Sequence, residues 1–159
     1  MTPATVKPER ASHRSWPLCT LLAAALGLAA GCAGHASSRV EVSGAWARPT
    51  TPGAAAAAAY LVLQSAAGDE LIGVSVAPSV ARFAQVHETL RDAATGELRM
   101  RHAARIALPA GERVEFAPGR RHVMLLELAQ PLAAGDTFAL ALTFARARPE
   151  TVRVPVRDE

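Results

Sequence analysis

At 159 residues the chain has room for one domain and an N-terminal appendage. Of its 17 basic residues only Lys7, Arg10 and Arg14 precede residue 33, and of its 14 acids only Glu9 does; the remainder, 14 arginines against 13 acids, carries a net charge of about +1. That balance excludes the basic footprint of a nucleic-acid binder, and with Cys19 and Cys32 the only cysteines, disulfide or thiolate chemistry is excluded from residues 39–156.

The start of the chain is basic, and "LCTLLAAALGLAA" (residues 18–30) is uncharged and apolar, followed by Gly31 and Cys32. This is the layout of a secretory signal, and the run is shorter than the roughly 20 residues of a membrane span. "LAAGC" resembles the lipobox of bacterial lipoproteins, in which the cysteine is lipidated and becomes the new N-terminus. Ala29 stands where that motif usually has Leu, and Leu28 lies one step further back. Ordinary cleavage near Ala36, after "GHA", is the competing reading. The expected organisation is a signal over 1–31, a tether over 32–38 and a folded domain over 39–159. The domain is expected in the bacterial periplasm, on a membrane only through an acylated Cys32.

From there the chain alternates apolar runs with turn signals. "VEVSGAWA" ends at "RPTTPG", "YLVLQSA" at "AGDE", and "LIGVSVAP" precedes "FAQVHETL". "RDAATG", "ELRMRHA", "RIALPAG", "RVEFAPG", "HVMLLELAQPLAAGD", "TFALALTFA" and "TVRVPV" follow. Short strands punctuated by Gly, Pro and Asp predict an all-β antiparallel sandwich or barrel. "GAAAAAAY" (53–60) is the dissenting segment, since alanine is the best helix former. It flows into Tyr60-Leu-Val-Leu63, and a strand is expected there.

The histidines and methionines beyond the signal are His35, in the tether, and His87, Met100, His102, His122 and Met124. In an extended chain His122 and Met124 share a face, with Cα atoms roughly 7 Å apart. A regular hairpin with strands 86–91 and 96–101 turning at Ala93-Ala94 would place His87 directly opposite Met100. The four would then converge if the two strands meet at one end of the sandwich. Two imidazoles and two thioethers form a neutral, soft set that selects Cu(I) and serves Zn²⁺, Mg²⁺ or Ca²⁺ poorly. A blue-copper electron-transfer centre would need a cysteine thiolate. His102 shares the face of Met100 and is an extra ligand, a neighbour of the ligands, or neither. Against all this, a methionine on a strand is more often core filler than a ligand.

The region from Val42 to Val156 resembles the periplasmic copper chaperone family PCuAC. The stretches that carry the likeness are "AWARPTTPGAAAAAAYLVL", "VHET", "LRMR", "LPAGERVEFAPGRRHVMLLELAQPL" and "GDTFALALTF". The family's metal motif is a His, a Met after ten residues, a His after 21 more, and then x-Met. Met100, His122 and Met124 fit it as written, and twelve residues separate His87 from Met100. The resemblance implies a cupredoxin-like antiparallel Greek-key β-sandwich binding Cu(I) through His87, Met100, His122 and Met124. It further implies a non-enzymatic role, delivering copper to the dinuclear centre of cytochrome c oxidase subunit II. Two other readings share the sequence: a lipoprotein that buffers Cu(I) without delivering it, and a metal-free β-sandwich interaction module.

Overall fold

The computed structural model describes residues 39–158; the signal, the tether and Cys32 lie outside the described residues. The strands are β1 (Val40–Ala47), β2 (Ala56–Ser65), β3 (Asp69–Val76), β4 (Ala81–Arg91), β5 (Leu98–His102), β6 (Ile106–Leu108), β7 (Arg113–Phe116), β8 (Arg121–Leu128), β9 (Thr137–Phe144) and β10 (Glu150–Pro155). One sheet runs β1-β2-β8-β4-β5, with β7 also paired to β2, and the other runs β10-β9-β3-β6. Every strand pairing is antiparallel, as the short alternating runs predict.

Period-two patterning decides which side chains enter the core. β9, "TFALALTF", buries Phe138, Leu140, Leu142 and Phe144 on one face. Leu61 and Leu63 of β2, Leu71 of β3, Val86 of β4 and Val123 and Leu125 of β8 meet them in one apolar cluster. Each such side chain contributes roughly 1.5–3 kcal/mol on leaving water. A parallel bridge between Ala47 and Val156 ties the edge of one sheet to the end of the chain.

From Ala56 to Ala59 the alanine run is strand and opens β2, while Ala54 and Ala55 belong to the preceding turn. A helix this short is unstable alone, whereas as strand it buries Ala57 and Ala59 and continues into Leu61 and Leu63. β2 also changes partner along its length. Ala56–Ala59 pair with β8, and Leu61–Gln64 pair with β7. The start of β8, where His122 lies, therefore sits beside a fork in the sheet.

Candidate metal centre

β4 lies between β8 and β5, and its alternation separates two chemistries. Ala84 and Val86 pack with the core, so Gln85, His87 and Thr89 point from the opposite face. His87 is paired with His122 of β8 on one side and with His102 of β5 on the other. Three imidazoles thus form one row across three strands, on the outer face of the larger sheet. Ring centroids are 6.2 Å apart for His87–His122 and 5.9 Å for His87–His102.

This register corrects the expected hairpin: Met100 lies opposite Thr89, and His102 lies opposite His87. The turn is the reason. Asp92 accepts hydrogen bonds at its Oδ1 from the backbone N–H groups of Ala94 and Thr95, both at 2.9 Å. The Asp92 N–H donates to the Glu97 carbonyl at 2.8 Å. Gly96, at φ 72°, therefore belongs to the turn rather than to a strand. Pairing shifts by two residues, which leaves every side chain on its expected face.

The two methionines flank the imidazole row on opposite sides. Met124 is level with Gln85 and directly beside Ala58 of β2. Met100 is level with Thr89 on edge strand β5, 65% exposed. Four residues of β4 separate the two levels, about 13 Å along the strand. The structure thus brings His87, His122 and Met124 together, adds His102, and leaves Met100 at the periphery. Among the described residues no three His, Cys, Asp or Glu side chains already converge as a metal cage. A site here must recruit thioether sulfur, or draw the rings together by rotation about their side-chain bonds.

The ring environments differ. His122 is only 7% exposed, and its Nδ1 stands 3.0 Å from the Arg120 carbonyl oxygen. A carbonyl can only accept, so Nδ1 carries the proton and Nε2 keeps a lone pair for a metal. His87 Nε2 stands 3.3 Å from Gln85 Oε1, a long contact that an incoming ion can displace. Burial holds the His87 imidazole below its ordinary pKa, and the neighbouring rings of His122 and His102 add to that. A neutral imidazole is the form that binds metal.

Behind the row, Glu88 braces the sheet. Its Oε1 accepts from Arg121 Nη2 at 2.6 Å and Nε at 2.9 Å, and its Oε2 from Arg101 Nη2 at 3.3 Å. Hydrogen bonding from Arg121 holds the carboxyl below the usual range, against the opposing effect of burial. β8, β4 and β5 are thereby tied together one residue from each histidine. Sequence reasoning missed Glu88, because its partners are set by cross-strand register. Gln85 was missed as well, although its place two residues before His87 puts it on the same face.

The larger sheet thus presents imidazoles and thioethers on one outer face of a cupredoxin-like sandwich. The chain belongs to the LpqE-like family, described as "Putative lipoprotein LpqE-like", which it matches over residues 40–156. A curated relative, "Putative lipoprotein Lxx21020" of Leifsonia xyli subsp. xyli (strain CTCB07), is 34% identical over 150 residues, 87% of each chain. The copper-bound PCuAC domain from PmoF2 is similar in structure, with a TM-score of 0.62 and 27% identity over 79% of this chain and 97% of that one. The Cu(I) form of DR1885 from Deinococcus radiodurans matches at 0.58 and 25% identity, over 79% and 83%. The likeness to PCuAC domains therefore holds in family and in fold.

Proposed function

We propose that this chain is a periplasmic Cu(I) carrier that takes one ion on the outer face of its larger sheet and passes it on. The observation that carries the reading is the direct pairing of His87 with His122, with Met124 on the same face beside them. These donors are neutral and the thioether is soft, and among the described residues no thiolate accompanies them; such a set selects Cu(I). That two solved structures similar to this chain hold copper, the PCuAC domain from PmoF2 and the Cu(I) form of DR1885, supports the same assignment. Met100 is the fourth donor. β5 is an edge strand with all five residues exposed, held in its sheet by β4 alone. A two-residue slip of β5 would bring Met100 opposite His87 while keeping its face.

The recipient is the dinuclear copper centre of cytochrome c oxidase subunit II or another copper-transfer protein. Thioethers are neutral, so an incoming ligand can replace each in turn without stranding a buried charge. The role is transfer without catalysis. Cys32 carries the acyl anchor, residues 32–38 form the tether, and more than one chain is needed for stable anchoring. Names of relatives that call them lipoproteins support this. Mass spectrometry of the native N-terminus tests it: an unmodified start near Ser37 would show ordinary cleavage and a protein free of the membrane.

The central test is Cu(I) stoichiometry with X-ray absorption. One copper with two sulfur and two nitrogen neighbours is expected, and a shell of nitrogen and oxygen alone would overturn the ligand set. Transfer to a purified subunit II fragment then separates a chaperone from a buffering lipoprotein, which would retain the ion.

A further inference from the structure

His102 stands in the imidazole row, where the expected hairpin register would have put Met100. We infer that His102 is a copper ligand, and that with His87 and His122 it forms a three-imidazole set that takes Cu(II) on the face that also takes Cu(I). This rests on the copper-binding reading above and extends it to a second valence.

The geometry favours a nitrogen set in the register seen. Both sulfur donors cannot reach one ion here, because Met100 and Met124 lie on opposite sides of the row. The three histidines share one level. A nitrogen ligand stands about 2.0 Å from its metal, which puts two ring centroids on a common ion roughly 5–6 Å apart. The His87–His102 separation of 5.9 Å is at the upper end of that span, and the His87–His122 separation of 6.2 Å is just beyond it. The three rings do not converge on one ion as they stand, so the site forms only when rotation about the side-chain bonds of His87 and exposed His102 swings them toward His122. The His122 ring, already oriented by the Arg120 carbonyl, offers Nε2.

The chemistry separates the two sets. Cu(II) prefers imidazole nitrogen and tetragonal geometry with room for water, and it sits at the top of the divalent affinity series. Cu(I) prefers the sulfur that Met124 and Met100 supply. His87 and His122 are common to both sets, while His102 and Met100, both on β5, distinguish them. Which of these two reaches the ion depends on the register of one edge strand.

Full-length protein is titrated with Cu(II) in air, and with Cu(I) under anaerobic reducing conditions against a Cu(I) chelator. His102→Ala is expected to lower the ratio of Cu(II) to Cu(I) affinity at least tenfold. In the electron paramagnetic resonance spectrum its bound Cu(II) should couple to two nitrogens instead of three. Met100→Ala should shift the affinity ratio in the opposite direction. An unchanged ratio in His102→Ala with Cu(I) still bound would overturn the assignment of His102 alone. Absence of any copper binding in the wild-type protein would instead overturn the underlying function. Exposed His102 lies outside the core, and circular dichroism of the variant confirms its fold before titration.

Discussion

Met124 projects from the face of β8 opposite to Val123 and Leu125, with Ala58 on one side and Gln85 on the other. Removing its thioether should therefore affect copper more than folding. Met124→Ala is expected to weaken Cu(I) binding at least tenfold, about 1.4 kcal/mol, with a denaturation midpoint close to wild type. A large loss of stability with unchanged copper affinity would instead mark Met124 as packing. His87 supplies the pH dependence. Its pKa is held below the ordinary 6.5, first by burial and then by the rings of His122 and His102. The unfolded chain thus takes up a proton near 6.5, before the folded chain does. Stability of the copper-free domain should fall as pH drops through that value, and level off below the folded pKa. Urea midpoints at pH 7.5 and 5.5 test this, and His87→Gln should remove its share of the fall. The same lowered pKa should preserve copper affinity into mildly acidic solution, beyond the point where an ordinary histidine protonates.

The hairpin β4–β5 is the element on which the site depends. Its register follows from the Asp92 turn and from the left-handed backbone at Gly96, where an added Cβ would meet only Arg91 Nη1 at 3.8 Å. Space is available, so the cost of a side chain there is conformational. Gly96→Val should destabilise the domain by roughly 1–2 kcal/mol. It should also speed amide hydrogen exchange across residues 98–102 relative to β8. Equal protection in both proteins would show that the turn does not hold β5 in place. Glu88 works against such loosening from the other face, with Arg121 and Arg101 on its two oxygens. The expectation that Met100 opposes His87 failed at this element, because an Asx-capped turn takes up residues that a regular hairpin assigns to its strands.

At the scale of the whole molecule, copper should act as a folding ligand. A carrier that binds only when folded gains about 2.7 kcal/mol when free Cu(I) is a hundredfold above its dissociation constant. For a domain of this size that is a rise of roughly 10 °C in melting temperature. Differential scanning fluorimetry under anaerobic conditions should show it, and Zn²⁺ at the same concentration should give much less. An equal shift with Zn²⁺ would mean that the thioethers take no part.

Short-range chemistry was legible in the amino-acid order. Period-two patterning marked the sandwich and the shared face of His122 and Met124, since alternation is fixed by the extended backbone itself. The absence of cysteine from residues 39–156 and the His/Met content fixed the kind of metal such a face could prefer. Only the tertiary structure decided which residues became neighbours across strands. It placed β8 between β2 and β4, set His122 beside His87, made β5 an edge, and put His102 rather than Met100 at the end of the row. The physical reason is that register comes from turn hydrogen bonds and from packing of the opposite face against a second sheet. Both depend on residues far away in the chain, and neither leaves a periodic mark where the ligands lie.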